Sequence, residues 1–262
     1  DSTGNNDKSS CGDFAYSQAT SIADPYASLA SNLTKAPYAN TCGGSYPGVS
    51  SSAISTSLGS TSAYSVIQVC GNLTLSADFA ITGDEVLVIN NGYLDLAGHN
   101  FTTSGTGAGV TVIFTSPNYA SLPTSVVNGS VGYIQDSAGG GSLNISSNPP
   151  GSGTFQGVTV YQDPTPWTNK GSVQTYNSTW DGNSSKLGWD LSGAYYLPNA
   201  NLTLNGATDK ASDGYNCFDM VLNSIDSNGG NNFSMFANPL SQCGQQGTIT
   251  PHIYGFRFAL VA

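Results

Sequence analysis

Two histidines, His99 and His252, are the only imidazole bases in the sequence. A nucleophilic triad needs such a base beside its serine, and no Gly-x-Ser-x-Gly turn is present to expose one. His99 follows Gly98 in a predicted turn, and His252 follows Pro251 near the end of the sequence. A catalytic zinc ion held by three histidines is excluded by their number. We therefore predict no catalytic residue and expect both histidines in surface turns.

Carboxylates are the second set of side chains with catalytic chemistry. Glycoside hydrolysis needs a pair of carboxyl groups that flank the scissile bond, and a lyase also needs a base that removes a proton. Asp84 and Glu85 form the only adjacent acidic pair, and Arg257 is the only arginine. The acidic pair precedes a predicted strand, where a solvated turn is the simpler interpretation. A polysaccharide-active β-helix enzyme, either a lyase or a hydrolase, is therefore the alternative to a non-enzymatic protein.

The same acidic region is the candidate site for a metal ion. Asp84, Glu85 and Asp95 offer the hard oxygen ligands that Ca²⁺ prefers. The sequence contains no EF-hand loop and no nonapeptide calcium repeat. We expect no required cofactor and keep structural calcium as the one metal to consider.

Five cysteines occur, at positions 11, 42, 70, 217 and 243. None of them forms a Cys-x-x-Cys pair, so zinc ribbons and dithiol redox motifs are disfavoured. In an exported chain such cysteines ordinarily form disulfides. Cys217 with Cys243 is the first predicted pair and Cys42 with Cys70 is the second. Cys11 is then either unpaired or exchanges with Cys42.

The charge balance limits the classes of partner. The 262 residues include 16 acidic and 6 basic side chains, which gives a formal charge of -10. Nucleic acid is not expected as a partner, because phosphate binding needs clusters of Lys and Arg.

No apolar stretch reaches the roughly 18 residues of a membrane-spanning helix, and no signal-peptide pattern opens the sequence. These features predict a mature extracellular or cell-surface protein.

Short β-type segments recur through the middle of the chain, separated by Gly, Asn, Ser and Asp. A repeat of this length holds one or two strands and buries its apolar face only by stacking on its neighbours. The predicted fold is all-β, a parallel β-helix or β-solenoid-like stack. The segments are Val86–Ile89, Val110–Phe114, Val126–Val127, Leu143–Ile145, Val158–Tyr161, Val173–Tyr176 and Gly193–Leu197.

Three zones are predicted along the chain. Residues 1–60 form an irregular, partly helical N-terminal segment that packs on the core, with short helices on either side of Asp24. Residues 61–262 form the β-solenoid domain. Its repeating core spans about 61–206, and a disulfide-bonded C-terminal extension spans 207–262.

Asparagines mark several predicted corners of the stack. Asn90, Asn91 and Asn128 follow strands, and buried asparagines at such corners can stack into ladders. The alternative is that Asn-Gly is simply a favoured tight-turn dipeptide. Both interpretations are open from the sequence.

Aromatic residues and sequons supply candidate glycan chemistry. Trp167, Trp180 and Trp189 are candidate contacts for a glycan or a protein partner, since exposed aromatic rings stack on sugars. Core packing is the simpler interpretation for Tyr195 and Tyr196. Asn-x-Ser/Thr sequons are glycosylation acceptors only in a glycosylating secretory route. They occur at Asn32, Asn72, Asn100, Asn128, Asn144, Asn177, Asn183, Asn201 and Asn232.

Five short segments form an ordered set that spans most of the chain, and Cys217 and the ending Phe258–Ala262 follow it. The segments are Asp24–Leu29 (DPYASL), Val86–Asn100 (VLVINNGYLDLAGHN), Gly109–Phe114 (GVTVIF), Gly157–Asp163 (GVTVYQD) and Leu191–Gly206 (LSGAYYLPNANLTLNG). Together they resemble the TadG-like proteins of bacterial tight-adherence (Flp/Tad) pilus systems.

The resemblance implies a protein of the bacterial envelope or exterior that works with adhesive pili and is not an enzyme. It implies other pilus or surface proteins as partners, including further copies of the chain, with a glycan as another candidate partner. The family usually carries an N-terminal membrane helix, and some members carry a von Willebrand A domain. Neither is recognised here, so we expect a processed ectodomain or a secreted relative.

Overall fold

The computed structural model describes a chain made mostly of β-strands. Every strand pair among the described residues is parallel, so the predicted all-β class with parallel sheets is confirmed. The described residues are 24, 26–54, 65–104, 108–116, 132–146, 153–164, 176–182, 190–191, 193–206, 208–209, 218–228 and 233–234.

Two short helices lie in the described N-terminal part. A 3-10 helix spans Ala27–Asn32, and a single α-helical turn, α1, spans Ser51–Ile54. Asp24 precedes the first helix and accepts a hydrogen bond from the Tyr26 N–H at 2.9 Å. This side-chain contact closes a local turn at the helix start. The second helix predicted before Asp24 falls outside the described residues.

Seventeen strands are described, and many of them are very short. In chain order they are β1 Val49–Ser50, β2 Ser65–Cys70, β3 Leu73–Thr74, β4 Phe79–Ile81, β5 Asp84–Asn90, β6 Leu94–Asp95, β7 Asn100–Thr103, β8 Gly109–Thr115, β9 Ile134–Gln135, β10 Ser142–Ile145, β11 Val158–Gln162, β12 Tyr176–Gly182, β13 Asp190–Leu191, β14 Gly193–Gly206, β15 Thr208–Asp209, β16 Phe218–Asn228 and β17 Phe233–Ser234.

The strands form three main parallel sheets. The long sheet has the order β12-β14-β11-β8-β5-β2, and β16 also pairs with β14. The first short sheet is β1-β3-β6-β9, and the second short sheet is β13-β10-β7-β4. A separate two-stranded sheet pairs β15 with β17. The pairing of β16 with β14 carries the long sheet past residue 206.

From β2 to β10, the chain visits the three main sheets in a fixed rotation. β2, β3 and β4 lie in the long, first short and second short sheets, and β5–β7 and β8–β10 repeat that order. Each pass lies beside the previous one, so that Val66 pairs with Val86 and Val86 pairs with Thr111. We call each such pass a coil. A coil therefore holds three strands, whereas the sequence pattern predicted one or two.

The recurring segments of the sequence belong to different sheets. Val110–Phe114 and Val158–Tyr161 lie in the long sheet, whereas Leu143–Ile145 lies in the second short sheet. The predicted segment Val126–Val127 is outside the described residues, and only Tyr176 of Val173–Tyr176 is inside them. The interval between segments consequently does not measure one turn of the chain.

The main hydrophobic core lies between the three sheets. Leu87 and Ile89 of the long sheet point into it, together with Leu94 of the first short sheet and Phe101 of the second. All four side chains are fully buried. The alternate residues of the long sheet, such as Val88, are also buried, but in a second cluster on its outer face. Burial on both faces explains why these strands read as continuous apolar runs.

Residues 26–42, which we call the N-terminal strap, cover the outer face of the long sheet. Tyr26, Leu29, Leu33 and Tyr38 of the strap are all buried in the outer cluster. A disulfide joins Cys42, the last residue of the strap, to Cys70 at the end of β2. The second predicted cysteine pair is therefore confirmed, while Cys11, Cys217 and Cys243 fall outside the described residues. Within the described ranges, no helix is long and apolar enough to cross a membrane.

Candidate functional site

The carboxylate of Asp95 lies at the turn that leads from the first to the second short sheet. Its Oδ1 accepts hydrogen bonds from the N–H groups of Ala97 (2.9 Å) and Ser137 (3.0 Å). Its Oδ2 accepts from the side-chain amide of Gln135 at 2.9 Å. Burial acts to raise the pKa of Asp95, but these donors outweigh burial and hold the pKa below its usual value. The side chain thus links two neighbouring coils as a fixed anion.

Asp136 makes the matching contact from the next coil. Its Oδ1 accepts a hydrogen bond from the Gly98 N–H at 2.6 Å, and its Oδ2 accepts from the Gly141 N–H at 2.7 Å. The turn beside it is tightly wound, because Ala97 has a φ of 48° and Gly98 a φ of 81°. A carboxylate that binds two turn N–H groups stabilises a backbone that few residues adopt.

Asp78, Asn100 and Ser142 form a hydrogen-bonded row along the outer surface of the second short sheet. Asp78 accepts from the backbone N–H of Asn100 at 2.9 Å and from its side-chain amide at 3.1 Å. The Ser142 hydroxyl donates to Asn100 Oδ1 at 2.6 Å. His99 Nδ1 lies 3.9 Å from Asp78 Oδ1, and the histidine side chain is 36% exposed.

The row has the residue types of a catalytic triad without its connections. The Ser142 hydroxyl donates to an amide oxygen, and the histidine contacts the carboxylate rather than the serine. A serine nucleophile needs a base that accepts its proton. The arrangement therefore acts as a hydrogen-bonding surface that ties three coils together. His99 closes the turn that begins at Leu96 and its ring is partly exposed, while His252 lies outside the described residues.

A polar surface continues beside this row. Ala80, Thr102 and Asn144 occupy register-matched positions on β4, β7 and β10. Ala80 and Asn144 are exposed and Thr102 is half-buried. Neighbouring strands in a sheet lie about 4.8 Å apart, so these positions form a column at that spacing, which Asp190 of β13 continues in register.

The three candidate calcium ligands do not form a recognisable metal site. Glu85 is buried beside Ser65, whose hydroxyl donates to it. Burial raises the pKa of Asp84, and its Oδ1 has no hydrogen-bond partner among the described residues. Asp95 already accepts three hydrogen bonds. Across the described ranges, no group of three or more His, Cys, Asp or Glu side chains is placed to hold a metal ion.

The corner after the long sheet contains a buried polar network in place of an asparagine ladder. Asn90 aligns with Cys70 and Thr115 in the neighbouring coils, so the ladder is wrong for this position. Its side-chain amide instead donates to Gln68 Oε1 at 2.7 Å and to two backbone carbonyls. Asn91 adopts a φ of 54° before Gly92, as the alternative turn interpretation requires. Asn128 is outside the described residues.

Further along the same corner, buried side chains connect later coils. The Thr115 hydroxyl donates to Asp163 Oδ2 at 2.8 Å, and the Gln162 amide donates to the Gly132 carbonyl at 2.9 Å. Gln162 Oε1 accepts the Asn199 N–H at 3.0 Å. The sequence reasoning missed these residues. The polar residues Gln162 and Asp163, directly after the buried segment Val158–Tyr161, were the available signal.

Two further aromatic contacts were missed by the sequence reasoning. Tyr93 and Tyr133 stack with their ring centroids 4.9 Å apart at the first short sheet. Burial, together with the charges of Tyr93 and Asp95, raises the pKa of Tyr133 to about 12. Under the strap, Tyr161 and Tyr196 stack with centroids 5.0 Å apart. Tyr195 and Tyr196 are both buried, so their predicted role in core packing is confirmed.

The predicted tryptophan contacts are largely outside the described residues. Trp167 and Trp189 lie there, and for Trp180 only the backbone position on β12 is described. Among the sequons, Asn144 is exposed, while Asn32, Asn72, Asn100 and Asn201 are half-buried. Asn177 lies on β12, and Asn128, Asn183 and Asn232 fall outside the described residues.

The chain was compared with known proteins at three levels. It matches no protein-family model, no curated protein and no solved structure. The resemblance to TadG-like proteins therefore stays a prediction.

Proposed function

We propose that the chain is a non-enzymatic protein of the cell surface or the extracellular space, built as a parallel β-helix and associated with adhesive pili or surface filaments. It acts as an assembly, adhesion or structural subunit. The fixed rotation of the chain through three parallel sheets supports the β-helix. The ordered segments that resemble TadG-like proteins support the association with pili.

The observation that carries the proposal is that three aspartate carboxylates serve as hydrogen-bond acceptors for the backbone. Asp78, Asp95 and Asp136 each accept hydrogen bonds from backbone N–H groups, and all three connect different coils. Carboxylates that bind backbone N–H groups in this way stabilise turns, which supports a structural use of these residues. These contacts between coils favour a structural scaffold that presents its loops and sheet faces to partners.

The proposed partners are other pilus or surface proteins and further copies of the chain. A disulfide between Cys42 and Cys70 supports an exported location, because disulfides persist in oxidising compartments. Antibody labelling of intact, unpermeabilised cells of the source organism tests the location. Labelling of intact cells supports the proposal, and labelling only after permeabilisation overturns it.

A second candidate function is glycan binding by the outer surface of the second short sheet. The column of Ala80, Thr102 and Asn144 offers hydroxyl and amide groups, and the adjoining positions Asp78 and Asp190 border this face. Hydroxyl, amide and carboxylate groups are the types that hydrogen-bond the hydroxyls of a neutral sugar chain. Affinity electrophoresis through gels that contain neutral polysaccharides tests it. Retardation that Asn144→Ala weakens and that Ser28→Ala, on the exposed side of the strap, leaves unchanged would favour an adhesin.

Polysaccharide cleavage is the competing enzymatic function. The purified chain can be incubated with pectins, alginates and glucans, and new reducing ends or unsaturated products can be measured. Steady turnover that is lost in Asp78→Asn or His99→Gln would replace the scaffold proposal with an enzyme.

A further inference from the structure

The N-terminal strap covers an apolar and aromatic surface that belongs to the long sheet. Tyr26 is fully buried, and Leu29, Leu33 and Tyr38 are 8%, 7% and 5% exposed. Beneath the strap lie residues from four neighbouring strands and from the turn before β11. These covered residues are Val86, Val88, Ile113, Phe155, Val158, Tyr161, Ala194 and Tyr196. If the strap moved away, this surface would meet water.

Polar contacts join the strap to the sheet at both of its ends. At the first end, the Tyr161 hydroxyl donates to the Tyr26 carbonyl at 3.3 Å. At the second end, the Gln68 side-chain amide donates to the carbonyls of Pro37 and Tyr38, both at 3.2 Å. The 3-10 helix between these ends has no side-chain cap, and 3-10 geometry is weaker than α-helical geometry.

The disulfide is a covalent cross-link between the end of the strap and strand β2. It joins Cys42 to Cys70 across a sequence separation of 28 residues. Directly after Cys42, Gly43 and Gly44 both have positive φ values with no atom within 4 Å of an added Cβ. These two glycines form the middle of a turn that the Ser45 N–H closes on the Cys42 carbonyl at 3.1 Å. Both cysteines are partly exposed, so a reductant in solution can reach the bond.

We propose that Cys42–Cys70 is a redox latch that holds the strap on the outer face of the long sheet. A dithiol reductant opens the latch in two exchanges. Its thiolate attacks one sulfur, which breaks the S–S bond and releases one cysteine as a thiolate; its second thiol then attacks the reductant sulfur of the mixed disulfide and releases the other cysteine. Two electrons and two protons pass to the chain, which gains two thiols, and the reductant becomes a disulfide. Closure is the reverse exchange, with a disulfide as the oxidant.

The latch controls exposure of the aromatic surface and leaves the sheets in place. The strands are joined by backbone ladders, and the inner core, with Leu87 and Ile89, does not include the strap. Opening the bond therefore releases residues 26–42 and exposes the pair Tyr161 and Tyr196. The Cys42–Cys70 disulfide forms, and holds the strap on the sheet, only after the protein reaches an oxidising compartment. This inference stands on the strap contacts and does not depend on the proposed pilus role.

Hydrogen exchange read by mass spectrometry tests the latch in the full chain. In a background with Cys11→Ser, Cys217→Ser and Cys243→Ser, the oxidised protein is compared with protein treated with dithiothreitol. The amides of the strap should exchange at least about tenfold faster after reduction, while those of β5 stay unchanged. Equal protection of the strap in both forms overturns the proposal. Equal acceleration in β5 also overturns it, because the strap would then be part of one unit with the sheet.

A second comparison does not need the triple-serine background. The double variant Cys42→Ser with Cys70→Ser should show fast exchange in the strap and increased binding of a hydrophobic dye without any reductant. The matched double variant Cys217→Ser with Cys243→Ser should behave like the parent protein in the strap. If both double variants release the strap, or if neither does, the latch is not at Cys42–Cys70.

Discussion

The carboxylate of Asp136 accepts a 2.6 Å hydrogen bond from the backbone N–H of Gly98, which lies in the preceding coil and 38 residues earlier in the sequence. The same carboxylate accepts a second bond from Gly141 in its own loop. One side chain thereby fixes two turns against each other. This inter-coil contact shows how an acidic chain with few cations can use its aspartates for structure.

Removing this carboxylate should destabilise the stack. Asp136→Ala leaves two turn N–H groups without their acceptor, so we expect a loss of about 2–3 kcal/mol in the free energy of unfolding. Asp136→Asn keeps one acceptor oxygen and should lose roughly half as much. Urea denaturation followed by circular dichroism measures both. A change within error for Asp136→Ala would show that the contact is not formed in solution.

Gly92 should not tolerate any side chain. An added Cβ would lie 2.1 Å from the Gly71 carbonyl oxygen, a backbone atom that cannot move aside. Gly92→Ala should therefore cost about 3 kcal/mol through overpacking. Gly139→Ala is the control, because its Cβ meets no atom within 4 Å and only its φ of +73° is unfavourable. That variant should cost about 1 kcal/mol. In thermal unfolding, the melting temperature of Gly92→Ala should be well below that of Gly139→Ala. The reverse order would contradict the geometry of this corner.

Acid should weaken the fold through Asp95. Its pKa is lowered in the folded state, so its contribution to stability is present above the unfolded value near 3.8 and is lost as pH falls through the lower, folded value. Asp95→Asn should be less stable than the parent at pH 7, and the difference should shrink below about pH 3.8. Denaturation curves at pH 7, 5, 4 and 3 measure it. A difference that is independent of pH would show that the charge of Asp95 contributes nothing.

Asp84 should show the opposite dependence. Burial raises its pKa in the folded state, so the charged form is disfavoured by folding at neutral pH. Asp84→Asn should therefore be more stable than the parent at pH 7 and equal to it well below pH 3.8. The same denaturation series gives the result. Lower stability of Asp84→Asn at pH 7 would point to an unseen partner, such as a cation, for this carboxylate.

The Tyr196 hydroxyl should contribute to strap docking. It donates to Asp24 Oδ2 at 2.6 Å, and hydrogen bonds to a charged acceptor are worth about 1.5–3 kcal/mol. Tyr196→Phe keeps the ring that stacks on Tyr161 and removes only this bond. We expect faster amide exchange in the strap and a loss of roughly 1–2 kcal/mol in stability. Unchanged exchange at Leu29 and Leu33 would rule out a part for the hydroxyl in docking.

Strands β5 and β8 were predictable because both of their faces are buried. Val86–Ile89 is apolar throughout, Val110–Phe114 contains a single polar residue, the buried Thr111, and each segment lies within a described strand. The two-residue strands β3, β6 and β9 leave almost no pattern of their own, since a strand needs several residues to show alternation. The repeat of three strands per coil therefore produces no recognisable period in the sequence.

The inter-coil contacts could not be predicted for a different reason. They depend on register between coils of unequal length: Val66 pairs with Val86, and Val112 pairs with Val160. An asparagine ladder was one of two interpretations open at Asn90, and register places Cys70 and Thr115 beside it instead. Among the cysteines, the sequence predicted Cys42 with Cys70 as the second of two pairs and left open an exchange between Cys11 and Cys42, because connectivity depends on the fold.

The most direct test of the central claim is the fate of the protein when filaments are sheared from intact cells of the source organism. The sheared fraction is purified by density, and the chain is quantified in it and in the cell bodies with an antibody. The proposal predicts that the chain is enriched with the filaments and that its Cys42–Cys70 disulfide is intact. Recovery of the chain entirely in the cytoplasmic fraction, with reduced cysteines, would contradict it.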